Sequence, residues 1–408
     1  MHAASQSSGT VSSAERLFRL SIGIFFMGGF VTSLVSLLVP RLTLLDRLDY
    51  TRGALVQLAF HSSYLLFALP ITALLVRLGY MRAMAAGLFV MTTGCLGLAG
   101  AAYLASYSVV LVALLGLSAG ITFLQIAANV IQPVVEQSGR GASRLTLLQG
   151  FNSIGTVLAP LIGAGFLLGA TDIKAGAPGW LMLALPFLAC ATLLLGLGLA
   201  FWRARALLAA FPAPRRLPLA QLRSVLGEPR LVFGAVAMFA YVGAEVTIGT
   251  LLANYLAQAE ILGASPAHAG RLVSLYWGGA MIGRFAGAYG LTRWRPARLL
   301  ATMGFGAVAL VAVATQATGL LGATALLAVG LCNAIMYPTL FALSLPADRS
   351  CAPYASMVLC MAVVGGAVIP MLTAMLADRI GLASALGLPA LCYCVIAAFA
   401  LMVALTEQ

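Results

Sequence analysis

Apolar stretches of about twenty residues recur along the whole chain, and no other feature limits its fold so strongly. An α-helix of that length crosses a hydrocarbon core of roughly 30 Å. The stretches are rich in Leu and Ala and lack the ten-residue alternation of membrane barrel strands, so they are predicted to be helices. The predicted spans are residues 18–39, 53–76, 83–104, 107–134, 145–169, 180–202, 231–257, 270–291, 298–318, 320–345, 353–377 and 383–406.

The composition excludes a soluble protein. The chain has 62% hydrophobic and 8% charged residues, with a mean hydropathy of +1.03, and nothing outside the spans is long enough for a soluble catalytic domain. We therefore predict an all-α membrane protein with twelve transmembrane helices. The first span has no signal-cleavage pattern, so it is predicted to remain as a helix behind a disordered, Ser-rich cytoplasmic segment, residues 1–17.

The net charge of +12 follows membrane topology rather than a nucleic-acid partner. With the N-terminus inside, sixteen Lys and Arg residues fall on cytoplasmic segments and six fall outside, while Arg284 lies within a span. This bias is the positive-inside rule. It predicts a multi-pass protein of the inner cell membrane, embedded in the lipid bilayer, with both termini in the cytoplasm.

The longest polar interruption, residues 203–230, divides the spans six and six. The two halves also resemble each other, because Arg77–Arg82 ends the second span and Arg293–Arg298 ends the eighth at a constant offset of 216 residues. Such parallel repeats predict two pseudo-symmetric six-helix bundles with a substrate site at mid-membrane. The predicted bundles are residues 18–202 and 231–408, joined by a cytoplasmic linker at 203–230.

Glu245 is the one acidic residue of the 11 in the chain that falls inside a predicted span. A carboxylate at membrane depth costs several kcal/mol unless it is paired, hydrated or protonated. We therefore expect it to mark a transport or proton-relay site.

Hydrogen-bonding side chains cluster on single faces of several spans, because residues three and four apart share a helix face. Amide side chains donate and accept at once, as a neutral polyol requires, and aromatic rings cover the C–H faces of a sugar. The alternative role for each residue is to join neighbouring helices. The stripes are Gln57, His61 and Tyr64 in the second span, Gln125, Asn129 and Gln132 in the fourth, Gln149, Asn152 and Thr156 in the fifth, and Tyr241 with Glu245 in the seventh.

Further candidates for substrate contact are less direct. Tyr276 and Trp277 form an aromatic pair in the eighth span, and Asn333 lies in the tenth. Asn254 is nine residues from Glu245, about half a turn away on a straight helix, so both face one cavity only if that helix breaks or twists. His61 is either a proton carrier, because a histidine pKa is near neutral, or a neutral hydrogen-bond donor.

The seven Cys residues lie in or beside spans, and none has the neighbouring His and Cys spacing of a zinc site. The sequence also lacks a nucleophile–base pair. We expect no catalytic residues, no metal and no cofactor, and hence no enzyme.

Six short motifs, spread over most of the chain, match a known pattern. They are Tyr241-Val-Gly-Ala-Glu245-Val, Tyr276-Trp-Gly-Gly-Ala-Met-Ile-Gly-Arg284-Phe, Gln125-Ile-Ala-Ala-Asn129, Gln149-Gly-Phe-Asn152-Ser, Asn333-Ala-Ile-Met-Tyr-Pro338-Thr and Gly365-Gly366-Ala-Val-Ile-Pro370. Together they resemble the fucose–galactose–glucose:proton symporter family of the major facilitator superfamily, and within it the glucose/galactose or N-acetylglucosamine branch. The resemblance implies sugar transport by alternating access.

The chain departs from that family in its first span. The resemblance places an Asn-Asp pair there, with the Asp as proton carrier, whereas this chain has Val35 and Ser36. Gln125 stands where the fucose branch has a carboxylate. Proton coupling, if present, must therefore use Glu245, with or without His61.

The favoured hypothesis is a monomeric carrier of a neutral hexose, such as glucose, galactose or N-acetylglucosamine, coupled to protons or another cation. A uniporter without coupling is one alternative. An exporter of amphiphiles or drugs is another, since residues 155–163 partly match the Gly-Pro signature of antiporters, although the amide stripes argue against an apolar drug cavity. A non-transporting receptor would need an extramembrane signalling surface.

Overall fold

A computed structural model describes residues 2–45, 63–104, 106–135, 140–167, 179–208 and 214–406, and their regular structure is helical throughout. The helices are α1 (His2–Leu45), α2 (Ala68–Leu78), α3 (Tyr80–Leu104), α4 (Tyr107–Val135), α5 (Gly141–Leu167), α6 (Gly179–Arg203), α7 (Leu219–Leu226), α8 (Pro229–Ala257), α9 (Pro266–Arg293), α10 (Pro296–Gln316), α11 (Gly319–Asn333), α12 (Met336–Ser344), α13 (Ala352–Ala362), α14 (Gly365–Ile380), α15 (Leu382–Ala385) and α16 (Gly387–Thr406).

The predicted all-α membrane architecture is confirmed. Within the described residues, ten helical segments are long and apolar enough to cross a membrane. The predicted span 53–76 lies partly outside the described residues and ends in the short apolar helix α2. The predicted span 270–291 lies within α9, which at 28 residues is long enough to cross but is less apolar than the ten.

The first helix is longer than expected. Helix α1 begins at His2, whereas the sequence predicted disorder over residues 1–17. The segment contains no proline, and extending an existing helix costs far less than starting one, so the turns before the apolar span continue it. At 1.5 Å per residue the 44 residues of α1 measure about 66 Å.

Two predicted spans are broken within their length. The tenth is divided between α11 and α12 at Ala334 and Ile335, four and three residues before Pro338. A proline ring clashes with the carbonyl four residues earlier and offers no N–H, which explains a break at that position. The eleventh is divided between α13 and α14 at Val363 and Val364, ahead of Pro370.

The described residues form two compact units. The first contains helices α1 to α6, except the start of α5, together with Arg349–Cys360. In it, α3 packs mainly against α4 and α6. Helices α1 and α5 approach closely, because added methyl groups at Gly29 and Gly155 would overlap the backbone carbonyls of Asn152 and Phe26, respectively.

The second unit contains the start of α5 up to Gly150 and the chain from α7 onward, apart from Arg349–Cys360. Helix α8 is central to it and packs against α14 and α16, with α9, α11 and α12 also in contact. Gly365 allows α14 to approach α8, since an added methyl group there would overlap the Phe239 carbonyl.

The compact units therefore differ from the predicted halves, 18–202 and 231–408, in two short segments. At the start of α5, the Ser143 hydroxyl donates to the Ala288 carbonyl of α9 at 2.6 Å, within the second unit. In α13, the Ser356 hydroxyl donates to the Ile126 carbonyl of α4 at 2.9 Å, within the first unit. These buried contacts are the reason that both segments group with the other half.

Candidate functional site

Glu245 lies on α8, and its nearest cation is Arg284 of α9. Arg284 Nη2 is 3.9 Å from Glu245 Oε1, and each side chain keeps 14% of its surface exposed. This separation is at the outer limit of an ion pair, and Glu245 Oε1 makes no hydrogen bond to another protein group. The two charges therefore neutralise each other without the short, bidentate geometry of a closed salt bridge.

Arg284 also contacts helix α5. Its Nη1 donates to the Gln149 carbonyl at 3.4 Å. One residue further on α5, Gly150 lies against the Phe285 ring, which leaves little room for a larger side chain. A single guanidinium thus joins the acidic residue on α8 to the turn of α5 that carries Gln149.

Buried aromatic and amide groups surround the backbone near Glu245. The Tyr276 hydroxyl donates to the Glu245 carbonyl at 3.2 Å and accepts from Asn333 Nδ2 at 2.7 Å. The Tyr241 hydroxyl donates to the Asn333 carbonyl at 3.3 Å and also lies against the Glu245 carboxylate. Tyr241, Tyr276 and Asn333 are fully buried, so they hold the region of Glu245 in place from inside the unit.

Among the predicted site residues of this unit, the structure brings Glu245, Tyr276 and Asn333 together. Trp277 packs edge-on against Tyr276, with ring centroids 5.1 Å apart, but 39% of its surface remains exposed. Asn254 is exposed as well. The break or twist considered for this helix is absent, because α8 is continuous from Pro229 to Ala257, so Asn254 lies about half a turn from Glu245.

In the first unit, Gln125 and Asn129 form one pair on α4. Asn129 Nδ2 donates to Gln125 Oε1 at 2.7 Å, and the Tyr64 hydroxyl also contacts Gln125. Gln125 is partly exposed, whereas Asn129 is buried. The geometry leaves Gln125 as the member of the pair that a solute can reach.

The α5 residues are more enclosed. Asn152 Nδ2 donates to the Phe25 carbonyl of α1 at 3.0 Å, the helix-joining contact considered as its alternative role. The Gln149 side chain is buried at 8% exposure. Both remain predictions as substrate contacts.

Two predicted residues, Gln57 and His61, lie outside the described residues. Val35 is buried on α1 and provides no titratable group where the resemblance placed an acid. The side chain of Ser36, the other departure, is not among those described.

No family model matches this chain. Individual relatives do. A glucose/galactose transporter of Brucella abortus is 37% identical over 386 residues, which cover 93% of this chain and 92% of that protein. The chain belongs to the fucose–galactose–glucose:proton symporter family.

Other members of this symporter family match over similar lengths. A protein named putative glucose/galactose transporter from Helicobacter pylori is 33% identical over 390 residues, covering 93% of this chain and 94% of that protein. The L-fucose-proton symporter of Escherichia coli is 28% identical over 411 residues, covering 94% and 92%. The family assignment made from the six motifs is confirmed, and the protein is a transporter rather than an enzyme.

The solved structure of that fucose:proton symporter in its outward conformation matches with a TM-score of 0.86 and 27% identity. The match covers 96% of this chain and 99% of the solved one. A variant of the same symporter matches with a TM-score of 0.85 and 26% identity. These matches confirm the major facilitator fold and a multi-pass membrane protein.

Sequence reasoning missed two features of this family member's site. The first is the pairing of Arg284 with Glu245. The signal was available, since Arg284 is the one cation that lies away from the ends of a predicted span. The second is Tyr393 of α16, which is fully buried beside Asn333 and within electrostatic range of Glu245. The apolar sequence around it, Leu391-Cys-Tyr-Cys394, gave no sign that Tyr393 lies near Glu245.

Proposed function

We propose that the protein moves a neutral hexose across the membrane by alternating access, with Glu245 as the site of coupling to protons. The substrates we favour are glucose and galactose, with N-acetylglucosamine as a further candidate. Support for the hexose comes from relatives named as glucose/galactose transporters over more than nine-tenths of the chain. Support for coupling comes from the relative named as a proton symporter.

The observation that carries the coupling proposal is the long ion pair between Glu245 and Arg284. Glu245 keeps 14% of its side-chain surface exposed, although Oε1 itself is buried, and 3.9 Å separates Oε1 from Arg284 Nη2. A separation of that length leaves the carboxylate less firmly paired than a closed salt bridge, and this supports titration of Glu245. When Glu245 takes up a proton, Arg284 loses its counter-charge and keeps its hydrogen bond to the Gln149 carbonyl. Protonation would thereby change the charge balance at a contact between α8, α9 and α5.

Amide side chains support a sugar rather than an apolar substrate. Gln125 and Gln149 are the substrate contacts we favour, because long amides can exchange their present partners for sugar hydroxyls. The other predicted substrate contacts stay predictions: Gln57, Asn129, Asn152, Asn254 and Trp277. His61 stays a predicted proton-coupling residue. Because Tyr276 and Asn333 are fully buried, we assign them to positioning Glu245 rather than to direct sugar contact.

The remaining features of the proposal follow from the sequence. The protein acts as a monomer in the inner membrane. Both termini lie in the cytoplasm, as the charge bias predicts. The halves 18–202 and 231–408 rock about the linker 203–230 during transport. These statements stay proposals, as do the identity of the hexose and the coupling ion.

Uptake into proteoliposomes tests the proposal. Purified protein is reconstituted, and uptake of labelled glucose, galactose and N-acetylglucosamine is measured with and without an inwardly directed proton gradient. We expect at least one hexose to accumulate above equilibrium only when the gradient is imposed.

Two other results would each reject a part of the proposal. Equilibration of a hexose at the same rate with and without the gradient rejects proton coupling and identifies a uniporter, unless a sodium gradient drives accumulation. Failure to transport any of the three sugars, by a preparation shown to be folded, rejects the hexose assignment.

A further inference from the structure

Three residues that interact with Tyr276 each carry a buried polar atom without a hydrogen-bond partner within the protein. These atoms are Glu245 Oε1, Asn333 Oδ1 and the Tyr393 hydroxyl, from α8, α11 and α16. A buried polar group without a partner is destabilising. Three such groups on residues that share Tyr276 as a neighbour are therefore costly unless something else satisfies them.

The residues that carry these atoms all interact with Tyr276. Asn333 Nδ2 donates to that hydroxyl at 2.7 Å, and the hydroxyl itself donates to the Glu245 carbonyl. Tyr393 and Glu245 both interact electrostatically with Tyr276. The Tyr393 hydroxyl also lies beside the Asn333 amide, without meeting the geometry of a hydrogen bond.

We propose that Glu245, Asn333 and Tyr393 form a binding site for one water molecule, here named the hydration site. Buried waters in proteins typically make about three hydrogen bonds to polar groups that lack other partners. The three atoms supply two acceptors and one hydroxyl, which is the set that a single water satisfies. The site lies among fully buried side chains of one unit, including Tyr241 and Tyr276.

The hydration site gives Glu245 a hydrogen-bond partner in both protonation states. When Glu245 is ionised, the water donates to Glu245 Oε1 and Asn333 Oδ1 and accepts from Tyr393. When Glu245 is protonated, the water accepts from the carboxyl O–H and from Tyr393 and still donates to Asn333. The water keeps three bonds in each state, so Glu245 changes its charge without leaving a buried group unsatisfied.

Other charged and titratable groups around Glu245 do not replace this role. Arg284 of α9 provides the counter-charge at 3.9 Å, and Tyr241 of α8 contacts the carboxylate. Tyr276 is already occupied as a donor to a backbone carbonyl. The relay role of the hydration site rests on the proposed function, in which Glu245 titrates, but the presence of the water does not.

Thermal unfolding of Tyr393→Phe tests the water without reference to transport. If the hydroxyl binds water, its removal breaks a hydrogen bond, and we expect the midpoint to fall by about 2 °C or more. If the hydroxyl has no partner, removing it relieves a desolvated group, and the midpoint stays the same or rises. The matched control is Tyr255→Phe, since the Tyr255 hydroxyl of the same unit donates to the Ala314 carbonyl at 2.6 Å, and this variant should lose stability.

Infrared difference spectra between high and low pH then separate a water from a direct Tyr393–Asn333 hydrogen bond. We expect an O–H stretching band that shifts when the protein is transferred to water labelled with oxygen-18. The band should be lost in Tyr393→Phe and retained in Tyr255→Phe. A spectrum with no oxygen-18-sensitive band, although Glu245 titrates, overturns the hydration site.

Transport measurements distinguish failure of this inference from failure of the proposed function. We expect the gradient-driven accumulation of Tyr393→Phe to move to a different pH range, whereas Tyr255→Phe keeps the pH range of the wild type. An unchanged pH profile rejects the relay role. If wild-type transport shows no proton dependence at all, the proposed function fails, and the unfolding of Tyr393→Phe still tests whether the hydroxyl binds water.

Discussion

Glu245 and Arg284 combine two properties that are rarely found together at membrane depth. They are close enough to balance each other's charge, yet 3.9 Å separates the nearest charged atoms. An isolated charge in the membrane is costly, and breaking a buried pair by removing one partner typically costs about 3–5 kcal/mol. The pair is thus stable as a unit and sensitive to the loss of either charge.

Glu245→Gln should separate sugar movement from proton coupling. An amide preserves the shape and hydrogen bonding of the side chain but does not titrate. We expect sugar counterflow within a few fold of the wild type and loss of accumulation driven by a proton gradient, measured in proteoliposomes. Glu260→Gln, an exposed acid beyond the end of α8, is the matched control and should leave both activities unchanged. Retained gradient-driven accumulation in Glu245→Gln would place the coupling residue elsewhere.

Arg284→Gln should destabilise the protein more than the double variant Arg284→Gln with Glu245→Gln, and more than a control substitution elsewhere on α9. Removing the guanidinium leaves Glu245 without its counter-charge, and it also removes the bond to the Gln149 carbonyl. We expect a clear fall in the thermal midpoint of the single variant. The double variant with Glu245→Gln should recover part of it, because it leaves no unpaired carboxylate and the effects of substitutions at contacting residues do not add. Arg271→Gln, an exposed cation on the same helix, should change little. An equal fall in the single and double variants would show that the ion pair contributes nothing.

At the scale of helices, the packing depends on glycines that admit backbone contact. The α1–α5 contact places Gly155 against the Phe26 carbonyl and Gly29 against the Asn152 carbonyl. Contact between helices through small residues is a common means of association in membranes, where no hydrophobic effect drives helices together. The same contact positions Asn152 to donate to the Phe25 carbonyl.

Gly155→Ala should therefore lower the thermal midpoint and weaken transport, because the new methyl group would push α5 away from α1. Gly116→Ala on α4 is the opposite case: nothing lies within 4 Å of an added methyl group there. Alanine is favoured over glycine in a helix interior by up to about 1 kcal/mol, so the control should be neutral or stabilising. Equal effects of the two substitutions would contradict the close helix contact.

Local patterns predicted much of this architecture. Span length and hydropathy identified ten helical segments that the structure contains. An acid in an apolar span singled out Glu245, which lies beside Arg284 in the structure, and its role in transport stays a prediction. The cluster itself was only partly predictable. Arg284 and Tyr393 lie far from Glu245 in sequence, and their proximity depends on how α9 and α16 pack against α8, which no local pattern encodes. The glycines of α8 made a break plausible, but the helix is continuous from Pro229 to Ala257.

At the scale of the molecule, charge distribution sets orientation in the membrane. The Arg-rich segment around α7 should be cytoplasmic, and the connection between α8 and α9 should face outward, if positive residues are retained inside. Both segments have exposed positions, such as Arg216 and Glu260. Orientation is therefore open to direct measurement.

Labelling with a membrane-impermeant maleimide checks that orientation. We expect Glu260→Cys to react in intact cells and Arg216→Cys to react only after the membrane is opened, with the wild-type chain as the blank for its seven native Cys residues. Unchanged sugar uptake in each variant serves as the control for folding. The reverse labelling pattern would show that the topology is the opposite of the predicted one, with both termini outside.

The interruption between α11 and α12 links two distant positions in the sequence. Because α11 ends at Asn333, the carbonyl of that residue lies at a helix terminus, where such groups lack their regular partner, and the Tyr241 phenol bonds to it. Pro338 maintains the interruption. Replacement of Pro338 by another residue would allow a regular helix, in which the Asn333 carbonyl accepts a backbone N–H and no longer needs the Tyr241 hydroxyl. Positions 241 and 338 should therefore change together among related sequences.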